Sequence, residues 1–211
     1  KKQIDDLALN KTVLDTLSAK LDRKASGSPV KIIEIGAGIG TMVERLLETN
    51  IIPSADYTAF DISRSNIEEA KERIIHFAER SNYLIEIVGP YKFIITRGSF
   101  SLRLNLIDQD AVEFIESAKG VQDTDLVIAQ AVFDLLNLKQ VLPNIFSILK
   151  QDGLLYSSIN FDGMTYFGPT IDDKFDSIIE SEYHQTMIDS RTGRHLLSLL
   201  VDSKWEILAA G

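Results

Sequence analysis

Apolar residues recur at near-helical spacing at Ile4, Leu7, Leu14, Leu17 and Leu21, which predicts an amphipathic helix over roughly residues 3–23. "ASGSP" then breaks the pattern, with Gly27 and Pro29 as stop signals. The short β-branched run "VKIIEI" reads as a buried strand. Met42, Val43, Leu46 and Leu47 form the inner face of a following helix, and "YTAFDI" is a second strand. "SRSNIEEAKERIIHFAERS" is helical, opened by Ser65 with Glu68 three residues on, the spacing of a capping box.

Between Tyr83 and Ile107 the pattern switches to short strands. "YLIEIV", "YKFIIT" and "FSLRLNLI" are separated by "GP" and "RG" turn signals. The last is the third strand of the main series, and the first two predict a hairpin inserted before it. "DAVEFIESAK" is a short helix and "DLVIAQ" a fourth strand. "LKQVLPNIFSILK" is a helix whose proper start Pro143 places near itself, and "QDG" turns it into the strand "LLYSSI". Asp172 to Asp189 is mainly helical with Phe175, Ile178, Ile179 and Tyr183 inward; "RHLLSLLVD" is helical and "WEILAA" a final strand. Alternating strands and helices without repeat or linker predict one α/β domain over 1–211, a doubly wound, mostly parallel sheet. Its expected parts are an N-terminal helix and linker (1–29), a ligand-binding core (30–160) and a C-terminal substrate-side part (161–211). In such sheets ligands sit at the carboxyl ends of the strands, where strand order reverses.

Composition narrows the chemistry. With 211 residues the chain suits one well-cored domain. The absence of cysteine excludes disulfides, cysteine–zinc sites and thiolate nucleophiles. A formal net charge of −9 with scattered Lys and Arg disfavours a nucleic-acid partner. No apolar run reaches the roughly 18 residues of a membrane span, and no signal peptide opens the sequence. A cytoplasmic location without a membrane partner is expected. Lys1 is not Met, and "WEILAA" would leave a sheet of this type one strand short, so the native chain is expected to extend at both ends.

The chemistry concentrates after the first strand. Gly36, Gly38 and Gly40 follow it at alternate positions and precede a helix, an arrangement that lets the backbone turn tightly and presents free N–H groups to a ligand. A dinucleotide turn, G-x-G-x-x-G, needs glycine where Thr41 stands. The pattern is instead Glu34-x-Gly36-x-Gly38-x-Gly40. Asp61 ends the second strand, 25 residues after Gly36, where a carboxylate can accept from both hydroxyls of an adenosine ribose.

These residues resemble the class I S-adenosylmethionine-dependent methyltransferases, and the later landmarks of that family follow in order from Lys31 onward. The resemblance implies a donor site made of Glu34, Gly36, Ala37, Gly38, Gly40, Asp61 and Ile62. It also implies an acidic residue after the third strand for the adenine amino group, Asp110 followed by Ala111, with Asp108 as a rival. Gln130, Ala131 and Val132 take the place of the methyl-transfer loop, with the Gln130 carbonyl toward the methionine ammonium. The implied cofactor is S-adenosyl-L-methionine, with S-adenosyl-L-homocysteine as product, and the acceptor a small molecule. Weak catalytic candidates are Asp134 and His184; Asn160, Asp162, Tyr166, Phe167, Arg191, Arg194 and His195 also lie on segments facing the acceptor side. The "(N/D)-P-P-(Y/F)" motif of amino-methylating nucleic-acid enzymes is absent, as are the paired glutamates of arginine methyltransferases. No metal is expected. A nicotinamide-dependent oxidoreductase, and a non-catalytic adenosylmethionine-binding protein, remain alternatives.

Overall fold

The computed structural model describes residues 9–24, 28–49, 51–52, 54–158, 160–163, 169, 172–203 and 205–211. Helix α1 (Lys11–Lys24) leads into β1 (Val30–Ile35), α2 (Thr41–Thr49), β2 (Ser54–Asp61) and α3 (Arg64–Arg80). Strands β3 (Leu84–Gly89), β4 (Lys92–Arg97) and β5 (Phe100–Asp108) follow, then α4 (Ala111–Ser117) and β6 (Thr124–Gln130). A 3-10 turn (Phe133–Leu135), α5 (Leu138–Ile148), β7 (Leu149–Ser158), α6 (Asp173–Gln185) and α7 (Thr192–Asp202) complete the order.

The seven strands form one sheet in the order β3-β4-β5-β2-β1-β6-β7. Strands β5, β2, β1, β6 and β7 are parallel, and β3–β4–β5 are antiparallel. The doubly wound, mostly parallel sheet and its hairpin insertion are therefore present. The chain builds outward from β1 to β2 and β5, then returns to place β6 on the other side of β1. In sheets of this kind the ligand crevice lies at such a reversal, here above the carboxyl ends of β1 and β6.

Two apolar layers cover the sheet. On one face Val30, Ile32, Ala55 and Tyr57 pack against Leu17 and Leu21 of α1, Met42 and Leu46 of α2, and Ile67 and Ile74 of α3. On the other, Ile35, Phe60, Val127 and Ala129 meet Ile115 of α4, Val141 and Ile145 of α5, and Leu196 and Leu200 of α7.

Several local expectations change. Helix α1 begins at Lys11, where Asn10 caps it by accepting from Val13 N–H at 3.2 Å; Ile4 and Leu7, and the breaker residue Gly27, lie outside the described residues. Ser63, not Ser65, is the N-cap of α3 and accepts from Asn66 N–H. Helix α5 starts at Leu138, five residues before Pro143. The proline forfeits one backbone bond, but Leu138, Val141, Leu142, Ile145 and Ile148 are all buried, and each buried side chain contributes about 1.5–3 kcal/mol. "QDG" is not a free turn: β7 already begins at Leu149, with a register irregularity against β6.

Helix α6 turns its apolar stripe outward. Phe175 and Ile178 are each 58% exposed, and none of its described residues is buried. "WEILAA" is not a strand. Trp205 packs edge-on against Phe146 of α5 at 5.5 Å, Gly211 lies beside Asn10, and no residue from Trp205 to Gly211 pairs with the sheet. Among the described residues β7 is paired on one side only, by β6.

Candidate active site

The glycine turn owes its shape to three backbones in the left-handed region, with φ of +67° at Gly36, +54° at Gly38 and +76° at Gly40. A side chain is disfavoured there. The reasons differ beyond that. A Cβ on Gly36 would lie 2.9 Å from Val132 Cγ2, and one on Gly40 2.9 Å from Ile74 Cδ1. A Cβ on Gly38 would meet nothing within 4 Å. Gly36 and Gly40 are thus closed in by protein, while Gly38 faces the open crevice.

The turn is bolted to the end of β2. Ala37 N–H donates to the Phe60 carbonyl at 2.8 Å, and Gly38 N–H to Asp61 Oδ2 at 2.8 Å. Asp61 Oδ1 accepts from Ser63 N–H at 2.8 Å and from Asn66 Nδ2 at 3.1 Å. Asp61 is 8% exposed, and its neighbour Ile62 is 78% exposed. Gln109 N–H reaches the Asp61 carbonyl at 3.1 Å and draws the loop after β5 alongside. There Asp110 caps α4 by accepting from Val112 N–H at 2.7 Å, and Ala111 is buried. Asp108 is the register partner of Asp61 and is exposed.

Beneath the turn lies a buried polar network that the sequence pattern did not reveal. Glu34 points into the layer that holds α2, where Tyr57 OH donates to its Oε2 at 2.8 Å. Burial pushes the Glu34 carboxyl up to about 7, against the lowering effects of the Tyr57 hydrogen bond and the Arg45 charge. Burial and the facing Glu34 push the Tyr57 phenol well above its ordinary range. Arg45, itself buried, reaches Gln130 Oε1 at 3.4 Å, and Gln130 Nε2 donates to Ser158 Oγ at 3.0 Å. Ala131 follows with φ +50° and donates from its N–H to the Ser158 carbonyl at 3.0 Å. The available signal was Arg45 itself, a cation inside the apolar run of α2.

On the far side of the crevice Asp134 sits in the 3-10 turn, 7% exposed, and its carbonyl accepts from Ile188 N–H at 2.8 Å and Asp189 N–H at 3.2 Å. His184 ends α6, its ring 5.1 Å from that of Phe161, which also stacks on Tyr183 at 5.7 Å. Gly193 N–H donates to the Phe161 carbonyl at 2.8 Å, so the segments after β6 and β7 and the α6–α7 loop are mutually tied. Burial pushes the Asp189 carboxyl up, but hydrogen bonds from His195 and the Arg191 N–H outweigh it and hold it below the ordinary range. Arg191, Arg194 and His195 are exposed; Asn160 pairs with Ser157 at 3.1 Å; Asp162 is exposed. Tyr166 and Phe167 lie outside the described residues. No three His, Asp or Glu side chains among the described residues are grouped to hold a metal ion, and no described helix is long and apolar enough to cross a membrane.

The sequence profile of the "Methyltransferase domain" family matches residues 33–155, from β1 through β7. The chain belongs to this family, and its fold is that of the class I S-adenosylmethionine-dependent methyltransferases. Among solved structures it is similar to the plantazolicin methyltransferase BpumL in complex with a triazolic desmethylPZN analog and SAH. That match has 18% identity and a TM-score of 0.54, over 90% of this chain and 62% of the other. BpumL in complex with SAH alone matches at 17% identity and a TM-score of 0.51, over 92% and 66%. The chain thus spans a little under two thirds of that protein's length. A SAM-dependent methyltransferase from Archaeoglobus fulgidus matches at 17% identity, with a TM-score of 0.47 over 88% of this chain and 67% of that one. No protein of curated function matches the sequence.

Proposed function

We propose that the crevice binds S-adenosyl-L-methionine and that the protein transfers its methyl group to a small molecule. The observation that carries this reading is the open side of Gly38, held 2.8 Å from Asp61 with Ile62 exposed next to it. In this reading Gly36, Ala37, Gly38 and Gly40 let the methionine part lie on the main chain. Asp61 meets the ribose and Ile62 the adenine face. Asp110 and Ala111 meet the adenine edge, and the Gln130 carbonyl the ammonium. Glu34 acts from below, shaping the turn through Tyr57 and Arg45. The acceptor lone pair attacks the methyl carbon in line. The carbon–sulfur bond breaks, its electron pair goes to sulfur, and neutral S-adenosyl-L-homocysteine remains. Alignment of the two reactants supplies the main acceleration, a term of about 7–11 kcal/mol at best.

The charge of −9 supports a small acceptor in place of a polyanion, and a cytoplasmic protein is our reading of the cysteine-free sequence. Calorimetric titration with S-adenosylmethionine, its demethylated product and NAD tests the donor. The expected result is micromolar binding of the first two and weaker binding of NAD; tight NAD and a silent methyl donor overturn it. Appearance of demethylated product on incubation with acceptor pools separates an enzyme from a non-catalytic binding protein.

A further inference from the structure

Asp134 stands out among the buried charged residues. It is 7% exposed, yet no described residue donates a hydrogen bond to its carboxylate. Glu34, Glu44, Asp61 and Asp125, the other buried acids, all have donors. Among the described residues the polar side-chain atom that is both sealed and partnerless is Arg73 Nε, so the Asp134 oxygens keep some accessible surface. Keeping a carboxylate largely out of water without a donor is costly. Such a group is retained where something else brings the donor.

Its place in the fold says what that is. Two residues earlier Val132 lies against Gly36 of the donor turn. The Asp134 carbonyl holds Ile188 and Asp189, and four residues before Ile188 the His184 ring packs on Phe161. The Asp134 backbone therefore links the segment packed on the donor turn to the segment after α6, the helix whose end carries Tyr183 and His184 against Phe161. A buried carboxylate is best satisfied by a charged N–H donor, and aromatic faces favour the same positive charge.

We propose that Asp134 is the residue that recognises the acceptor, and that the acceptor is a small cationic amine seated against Phe161, Tyr183 and His184. The proposal rests on the methyl-donor reading above. The carboxylate accepts a hydrogen bond from the amine and aims its nitrogen at the crevice. Asp134 takes one proton from the bound ammonium, the neutral amine so formed attacks the methyl carbon, the carbon–sulfur pair goes to sulfur, and the product leaves as a methylammonium while Asp134 yields its proton to water.

The test uses the protein saturated with S-adenosylhomocysteine and three probes of similar shape: benzylammonium, benzyl alcohol and benzoate, titrated by NMR. Benzylammonium is expected to bind at least tenfold more tightly than the other two. Asp134→Asn is expected to abolish that preference, to leave S-adenosylhomocysteine affinity within twofold, and to unfold at an equal or higher temperature because an unpaired buried charge is gone. Phe161→Leu, which keeps Asp134, is expected to weaken benzylammonium at least fivefold. Equal binding of the three probes, or a benzylammonium preference that survives Asp134→Asn, overturns the proposal. A silent S-adenosylhomocysteine titration with an intact, Asp134-dependent benzylammonium site sinks the methyl-donor reading and the acceptor role with it, and leaves only a cation site at Asp134.

Discussion

Replacing Asp61 by Ala affects two properties that the chain couples through one carboxylate. Its oxygens accept from Gly38 N–H, Ser63 N–H and Asn66 Nδ2. Hydrogen bonds to a charged group contribute about 1.5–3 kcal/mol each. Water can replace part of what is lost at this edge, so a destabilisation of about 3–5 kcal/mol is expected, and roughly 10 °C in the unfolding midpoint of a domain this size. A carboxylate offers about four lone-pair sites. Three are taken, so the ribose hydroxyls have to use the remaining one and compete for another. Donor affinity is expected to fall at least tenfold, since roughly 1.4 kcal/mol is a factor of ten. Thermal unfolding of the ligand-free protein and calorimetric titration with S-adenosylhomocysteine measure the two effects separately. Asn66→Ala is the control: it frees one acceptor site, so it is expected to lower the midpoint slightly while donor affinity holds or rises. An Asp61→Ala protein with unchanged midpoint refutes the tie to the glycine turn, and unchanged affinity refutes the ribose role.

Gly38→Ala and Gly40→Ala should fail differently. The first puts a methyl group into the open crevice and is expected to weaken donor binding at least tenfold with a loss of about 1 kcal/mol of stability from its positive φ. The second pushes into Ile74 and Ala70 and is expected to unfold the protein well before it alters donor contacts; reversed effects in melting and titration would contradict the assignment. Glu34 gives a pH signature, because burial raises its folded pKa to about 7, above the ordinary carboxylate value of 4.5. The folded state then holds an extra proton between these values, so this stability is fully present below about 4.5 and is lost as pH rises through about 7, by about 3 kcal/mol in all. Glu34→Gln keeps an acceptor for Tyr57 and is expected to flatten urea-unfolding stability between pH 5 and 7.5; an unchanged slope argues against a protonated Glu34. Trp205→Ala is expected to cost about 2–4 kcal/mol by removing its contact with Phe146, and a melting curve like that of the parent protein would show that the C-terminal segment is not anchored there.

The sequence by itself determined what local chemistry decides. Alternate glycines between a β-branched run and a helix leave one workable backbone, and all three do adopt positive φ. The β3–β4 hairpin is likewise written in adjacent residues, with turn signals between short alternating runs. The place of Asp61 at the end of β2 was legible from position alone. Tertiary structure decided the rest, because the partners are far apart in the chain. Arg45 reaches Gln130 across 85 residues and Gln130 reaches Ser158 across 28, and no spacing rule links them. The apolar stripe of α6 has helical period, but periodicity states only that one face is apolar, and here that face is exposed. "WEILAA" has strand composition, yet a strand exists only where a neighbouring edge accepts its hydrogen bonds. The segment is anchored instead by the stacking of Trp205 on Phe146. Asp134 shows the same division: sequence placed a carboxylate four residues past Gln130, and only packing left it buried and without a donor among the described residues.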